Sequence, residues 1–195
     1  MIIHGYMAGP QDHWFGWLAG QLEAQGISTG VPTLPESSAP HRGTWGLAVG
    51  AAVGRPYEQT IAVGHSLGCL SILRHLQSLD GPWRLGALVL VAGFLEPLPA
   101  LPELDDYIAD GCDTTRLAGR IDKLVVVRSD DDPLVPAGHT DRLATALATR
   151  AHVVPGAGHF LADDGVTRLP VVMERLELRE SSQAGGQNAR RCGQR

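Results

Sequence analysis

The most informative part of this chain reads Thr60-Ile61-Ala62-Val63-Gly64-His65-Ser66-Leu67-Gly68. The apolar, β-branched run that ends at Val63 predicts a buried strand. Leucines at a spacing of three then predict a helix from Leu67 to Leu79. Gly64 to Gly68 fit the pattern G-x-S-x-G, which between a strand and a helix is typical of a nucleophile elbow. An ordinary strand-to-helix turn with a serine cap is the alternative interpretation.

The elbow interpretation gives each residue of this turn a chemical reason. The turn is so tight that side chains two residues either side of Ser66 would collide, and Gly64 and Gly68 remove them. The helix that begins at Leu67 directs its N-terminal dipole and the Leu67 N–H at the same place, which favours a developing oxyanion. Leu67 is therefore the first predicted backbone donor of an oxyanion hole.

The rest of the chain alternates strand and helix patterns, which predicts an α/β fold: a mainly parallel sheet with helices on both faces. Continuous apolar runs predict strands at 60–63, 87–91 and 124–127, and weaker patterns predict strands at 27–31 and 152–154. Helical patterns cover 14–25, 67–79, 141–148 and 166–178. Between Gly93 and Arg120, proline and acidic residues predict a loop with a little helix.

A serine nucleophile needs a base, because its hydroxyl is a weak nucleophile at neutral pH. Of eight histidines, His159 is the predicted base, since it lies in a glycine-rich loop after a late strand. His65 adjoins the nucleophile, but neighbouring elbow side chains diverge, so we expect a different role for it. His75 lies on a predicted helix and His152 on a predicted strand, and both are expected to be structural. A solvated loop side chain is the alternative for His159.

The acid that orients the base is expected after the strand at 124–127, where Asp130, Asp131 and Asp132 follow one another. Asp132 is preferred, because it begins a D-x-x-V-P pattern after this strand, and hydrolases with a G-x-S-x-G elbow carry their acid there. Asp131 is the second candidate. A solvated acidic loop without a catalytic role is the alternative interpretation. The order Ser66, Asp132, His159 is that of the α/β-hydrolases.

The second oxyanion donor is expected from the loop after the first strand, where His4-Gly5-Tyr6 stands. The backbone N–H of Tyr6 is the candidate, and Gly5 allows close approach. We expect His4 to be a structural residue below the site. No metal or organic cofactor is implied by any of these residues.

Composition excludes several classes of protein. The 44% hydrophobic and 19% charged content is that of a globular chain, and no apolar run reaches the roughly 20 residues of a membrane span. The last seventeen residues carry four arginines and one glutamate; subtracting their +3 from the net −5 leaves −8 for residues 1–178. This acidic body argues against a nucleic-acid partner.

Three scattered cysteines and no signal peptide predict a cytoplasmic protein, and Cys69 is expected to be a small buried filler.

Both ends of the chain carry expectations about domain organisation. Only Met1 to Ile3 precede His4-Gly5, so either the first strand is short or the natural start lies upstream. Residues 181–195 have almost no apolar content and are expected to be disordered. One domain therefore covers residues 1–180.

Further motifs accompany these residues, and together they resemble a known family. The motifs are Trp14-Phe15-Gly16-Trp17-Leu18, Pro32-Thr33-Leu34-Pro35, Trp45 in a following helix, Gly64-His65-Ser66, Asp131-Asp132-Pro133 and Gly158-His159-Phe160. Over residues 2–178 the chain resembles the small serine hydrolases of the retinoblastoma-binding protein nine and YdeN-like family. The resemblance implies a compact α/β-hydrolase fold without a large cap domain, and a triad of Ser66, Asp132 and His159.

The functional prediction is hydrolysis of a small ester, thioester or activated amide through an acyl-enzyme, with a small-molecule acyl substrate. A protein-interaction module on a hydrolase scaffold, with an idle triad, is the alternative, because fold does not fix function. The three tryptophans of the shared motifs are expected to be core or loop anchors rather than ligand-stacking residues.

Overall fold

The structure is a computed structural model, and it describes residues 1–178. In this part of the chain, five strands form one sheet whose order in space follows their order in the sequence, and each neighbouring pair is parallel. The strands are β1 (Ile2–Ile3), β2 (Ile61–His65), β3 (Leu85–Val91), β4 (Ile121–Ser129) and β5 (Ala151–Val154). The carboxyl ends of all five strands consequently meet at one edge of the sheet, where the loops that follow them lie together.

Within residues 1–178, six α-helices accompany the sheet. They are α1 (Phe15–Ala24), α2 (Arg42–Val53), α3 (Leu67–Ser78), α4 (Asp105–Ile108), α5 (Ala137–Ala146) and α6 (Pro170–Leu176). The region from Gly93 to Arg120 holds only α4 and two single turns of 3₁₀ helix, Pro102–Leu104 and Thr115–Leu117. This confirms the predicted loop with a little helix.

Two hydrophobic cores lie on opposite faces of the sheet. In β3, Leu88 and Leu90 face one core and Val89 and Val91 face the other, because successive strand side chains point to opposite sides. The first core is completed by α2, α3 and α5, and the second by α1 and α6. The predicted parallel sheet with helices on both faces is therefore confirmed.

One predicted strand is wrong. Residues 27–31 form no strand, although the Ile2 N–H donates a hydrogen bond of 2.9 Å to the Gly30 carbonyl. The segment lies beside β1, which is itself only two residues long and offers little edge for pairing. Pro32, which has no backbone N–H to donate, follows directly.

The last two helices, α5 and α6, each begin four residues from their predicted amino end. The last helix, predicted from Val166, begins at Pro170, because Leu169 precedes a proline and is held in a non-helical conformation, with φ −133° and ψ 70°. Pro170 suits the first helical turn, where its missing N–H would have no acceptor. Conversely, α5 begins at Ala137, four residues earlier than the pattern from Asp141 indicated.

The predicted tail, residues 181–195, lies outside the described residues, and the domain boundary at residue 180 stays a prediction. Across residues 1–178, none of the helices combines the length and apolarity needed to cross a membrane.

Candidate active site

Ser66 occupies the sharp turn between β2 and α3. Its backbone has φ 54° and ψ −124°, a left-handed region that costs free energy for a residue with a side chain. The Ser66 N–H donates a hydrogen bond of 2.9 Å to the Val91 carbonyl at the end of β3, which helps to hold the turn. A strained serine at the carboxyl end of a central strand has the geometry of a nucleophile elbow.

The two glycines of the motif are required by neighbouring backbone. A Cβ on Gly64 would lie 2.9 Å from the Cα and N of Cys69 in α3. A Cβ on Gly68 would overlap the carbonyl oxygens of Ile3 and His4, at 2.5 Å from the latter. The collisions that the glycines avoid are thus with α3 and with the chain around the end of β1, rather than between the two positions themselves.

Asp132 and His159 lie together, although 27 residues separate them in the chain. The distance from His159 Nδ1 to Asp132 Oδ2 is 2.7 Å, and the two side chains are only 5% and 3% exposed. The other oxygen, Asp132 Oδ1, accepts hydrogen bonds of 2.9 Å from the N–H groups of Leu134 and Val135. The carboxylate is therefore fixed in position with one oxygen directed at the imidazole.

The residues before Asp132 hold the loop that carries His159. Asp130 Oδ1 accepts the N–H of Gly156 at 2.8 Å. Ser129 Oγ accepts the N–H of Ala157 at 3.0 Å. Asp131 Oδ1 accepts the N–H of Gly158 at 2.8 Å. Asp131, the second candidate for the acid, thus binds the backbone of this loop and not the His159 ring. Sequence reasoning missed this supporting role, whose only signal was the unbroken run of polar residues after β4.

Asp164 is a further supporting residue that sequence reasoning did not single out. Its Oδ2 accepts the N–H of His159 at 2.8 Å and the N–H of Leu161 at 3.0 Å. Gly158 has φ +51°, and a Cβ there would lie 2.6 Å from Asp164 Oδ1. The glycine before His159 is therefore needed so that the chain can turn tightly around this carboxylate.

Gly5 brings the loop after β1 directly against the nucleophile. A Cβ on Gly5 would lie 2.9 Å from Ser66 Cβ and 3.4 Å from Ser66 Oγ. The peptide unit that joins Gly5 to Tyr6 is therefore next to the serine, where the Tyr6 N–H was predicted to donate. Leu67 is the first residue of α3, a position at which a backbone N–H has no intrahelical acceptor.

His4 fixes the orientation of that same peptide unit. The Leu34 N–H donates to His4 Nε2 at 3.2 Å, so the proton of the neutral ring is on Nδ1, which donates to the Gly5 carbonyl at 2.9 Å. In a trans peptide the N–H points opposite to the carbonyl. By holding the Gly5 carbonyl, His4 also sets the direction of the Tyr6 N–H. It is fully buried, as expected of a structural residue, and burial lowers its pKa.

Ser66 and His159 lie at the same edge of the sheet, without a direct hydrogen bond between them. Within residues 1–178 the structure records none between the Ser66 hydroxyl and the imidazole of His159. The residue before Ser66 nevertheless contacts His159, because the side-chain Nε2 of His65 lies 2.9 Å from the His159 carbonyl oxygen. Catalytic hydrogen bonds are often long in unliganded enzymes and tighten when substrate binds.

The remaining residues that the sequence singled out have structural environments. His75 Nε2 lies 2.7 Å from the Gly54 carbonyl at the end of α2. Cys69 is fully buried, and burial raises the pKa of its thiol, as expected of a filler. Trp14 and Trp45 are fully buried, and the Trp45 indole N–H donates to the Pro35 carbonyl at 2.7 Å, which makes it a loop anchor.

Comparison with known proteins places this arrangement in a family. The family described as serine hydrolase matches residues 1–178. The chain belongs to that family. It is 35% identical over 175 residues to YdeN of Bacillus subtilis strain 168, with 90% of this chain and 92% of YdeN covered.

Solved structures of similar chains share this fold. The crystal structure of the ydeN gene product from B. subtilis matches with a TM-score of 0.86 over 90% of this chain and 95% of that one. A YdeN-like protein from Pectobacterium atrosepticum, 19% identical, matches with a TM-score of 0.63, over 90% of this chain and 87% of that one. This second match shows the fold alone. The chain therefore has the α/β-hydrolase fold. Its membership of the serine hydrolase family makes it a hydrolase.

Proposed function

We propose that this serine hydrolase cleaves a small ester, thioester or activated amide through an acyl-enzyme formed on Ser66. The observation that carries the proposal is the buried pair of Asp132 and His159, 2.7 Å apart, at the sheet edge where Ser66 forms a strained elbow. The same edge holds the Gly5–Tyr6 peptide and the first N–H of α3, which supply the donors that acyl transfer needs.

In the proposed mechanism the Ser66 oxygen attacks the acyl carbonyl carbon while His159 Nε2 accepts the hydroxyl proton. The carbonyl oxygen becomes an oxyanion, which accepts hydrogen bonds from the N–H groups of Leu67 and Tyr6. Collapse of this intermediate breaks the bond to the leaving group, which takes the proton from His159. Water then repeats the sequence on the acyl-enzyme and releases the acid and free Ser66.

Asp132 has two roles in this mechanism, and both follow from its contacts. Its Oδ2 accepts the Nδ1–H of His159, which leaves the lone pair on Nε2 free to take a proton. It also stabilises the imidazolium that forms during attack. The two backbone N–H groups on Oδ1 keep the carboxylate from rotating away from the ring.

The substrate is proposed to be small, because no separate cap domain covers the site within residues 1–178. The Tyr6 side chain lies beside Glu103 of the segment 93–112, and burial and this carboxylate raise the pKa of Tyr6. The loop after β1 and the segment 93–112 thus meet at one side of the site. Residues 1–178 contain no separate cap domain, so these two segments are proposed to bound the acyl pocket.

Labelling with a fluorophosphonate probe tests the proposed nucleophile. Wild-type protein is expected to label at one residue and Ser66→Ala to lose labelling, because the probe reacts with an activated serine. Ser78→Ala is the matched control, since Ser78 is an exposed serine near the end of the same helix, and its labelling should equal that of the wild type.

The labelling result also separates the enzyme from the interaction module. A folded wild-type protein that does not label and does not turn over p-nitrophenyl esters would contradict the proposed activity and favour an idle triad. Hydrolysis that declines as the acyl chain of the p-nitrophenyl ester is lengthened is the expected pattern for a small pocket. Faster hydrolysis of long chains would contradict the proposed substrate size.

A further inference from the structure

His65 is a buried histidine that the proposed mechanism does not use. It is the last residue of β2, it directly precedes Ser66, and it is only 2% exposed. Its Nε2 lies 2.9 Å from the carbonyl oxygen of His159. We infer that His65 is a positioning residue, which sets the place of the base His159 relative to the nucleophile Ser66. The inference rests on the proposed function, because it concerns the geometry of that same site.

The direction of this hydrogen bond follows from its acceptor. A carbonyl oxygen only accepts, so the proton of His65 is on Nε2. Nδ1 of the neutral ring is then an acceptor, and it has no partner among residues 1–178. A buried polar atom without a partner costs folding free energy, so packing by itself favours an apolar side chain here. What the imidazole adds is the bond to His159.

The surroundings of His65 hold its ring in place. Four aromatic rings lie around it, with centroid distances of 5.7 Å to His13, 5.9 Å to Trp14, 5.7 Å to Phe15 and 5.0 Å to His159. Burial is the main cause that lowers the pKa of His65 well below its ordinary value, and His159, His13 and His4 act in the same direction. The ring is therefore neutral at the pH at which a histidine base works, and the donor on Nε2 stays in place.

Among the described residues, three hydrogen bonds fix His159, at its N–H, its Nδ1 and its carbonyl oxygen. Asp164 holds its N–H and Asp132 holds its Nδ1, and both of these acids lie in loops after β4 and β5. His65 holds its carbonyl oxygen and is the one of the three that is covalently next to Ser66. A small displacement of a base from its nucleophile is costly, since a shift of about 1 Å is enough to lose on the order of a hundredfold in rate.

A matched pair of substitutions at His65 tests this role. In His65→Gln the side-chain N–H reaches the position of Nε2, and in His65→Asn it reaches only that of Nδ1, so the first keeps the donor to His159 and the second loses it. We expect kcat/KM for p-nitrophenyl acetate to stay within about threefold of wild type in His65→Gln. In His65→Asn it should fall by about tenfold to a hundredfold, mainly through kcat.

The outcomes are distinguished by folding, kinetics and a spectroscopic signal. Equal loss in both folded variants, or no loss in either, would overturn the inference, as would a fall confined to KM. In wild-type protein, ¹⁵N–¹H correlation spectra of the histidine rings should show His65 as the Nε2–H tautomer between pH 6 and 8, and the opposite tautomer would overturn it without any variant. If wild-type protein hydrolyses no ester, the proposed function fails, and the tautomer still tests His65.

Discussion

Asp130, Asp131 and Asp132 are three identical side chains with three different partners. Asp130 and Asp131 bind successive parts of the backbone that leads to His159, and Asp132 binds the ring of His159 itself. Hydrogen bonds from Ser129 and from the Gly158 N–H lower the pKa of Asp131, as expected for a carboxylate in a supporting role. At the scale of the residue, the contacts therefore separate an acid that orients the base from acids that shape its loop.

Exchanging single atoms in these acids tests the separation. Asp132→Asn should lower kcat by on the order of 10³–10⁴-fold, because an amide in that place favours the wrong tautomer of His159. Asp131→Asn is the matched control, since its remaining oxygen can still accept the Gly158 N–H, and its loss should be far smaller. Initial rates with one p-nitrophenyl ester measure both. A larger loss in Asp131→Asn than in Asp132→Asn would reverse the assignment.

At the scale of the element, two glycines let the helix α3 pack closely against the sheet, and its apolar side chains fill the first core. Gly64 lets the end of β2 pack against the Cys69 backbone, and Gly68 lets the first turn of α3 pack against the carbonyl oxygens of Ile3 and His4. Other helical glycines have no such neighbours, and a Cβ at Gly46 in α2 would meet nothing within 4 Å. The same residue type thus has opposite consequences in two helices.

Alanine substitutions in the two helices should shift stability in opposite directions. Gly46→Ala should raise the free energy of unfolding by about 0.5–1 kcal/mol, because alanine loses less backbone entropy in a helix. Gly68→Ala should lower it by about 1–3 kcal/mol or more, since the added methyl overlaps main-chain oxygens that cannot move independently. Urea denaturation measures both. Stabilisation by Gly68→Ala would show that the contact with β1 is looser than the structure has it.

At the scale of the whole molecule, parallel strands bring remote residues together at one edge. His4, Ser66, Asp132 and His159 follow four different strands and all lie there. The same arrangement buries several histidines around the site, and burial is the largest cause that lowers the pKa of His4, His13 and His65. Because folding buries these histidines together, the stability of the folded protein should depend on pH.

The stability of the folded protein should fall on mild acidification. The buried histidines are neutral in the folded state, whereas in the unfolded chain they take up protons near pH 6.5. The unfolded chain then binds more protons than the folded protein does. The free energy of unfolding therefore has its full value above that pH and decreases as the pH falls below it. Urea midpoints measured between pH 7.5 and 5.5 should decrease, and they should decrease less in His65→Gln. A midpoint that is constant over this range would contradict the prediction.

Much of the site was predictable because its residues follow recognisable patterns. The elbow at Ser66 has a fixed spacing of glycines between a strand and a helix, and His159 and Asp132 follow later strands in a known order. The strand predicted at 27–31 failed because pairing depends on the edge that a neighbour offers, and β1 offers only two residues. Asp164 and Ser129 were missed because a polar side chain that accepts a remote backbone N–H leaves no pattern in the sequence.

The sequence by itself determined the α/β class, the position of the elbow and the family, since these depend on local periodicity and on short motifs. Only the tertiary structure decided which aspartate contacts His159, that His4 orients the Gly5–Tyr6 peptide, and that His65 contacts the His159 backbone. The physical reason is the range of the interactions. Helices and strands are specified by residues a few positions apart, whereas these hydrogen bonds are directional and mostly join atoms that only the folded sheet brings within 3 Å of each other.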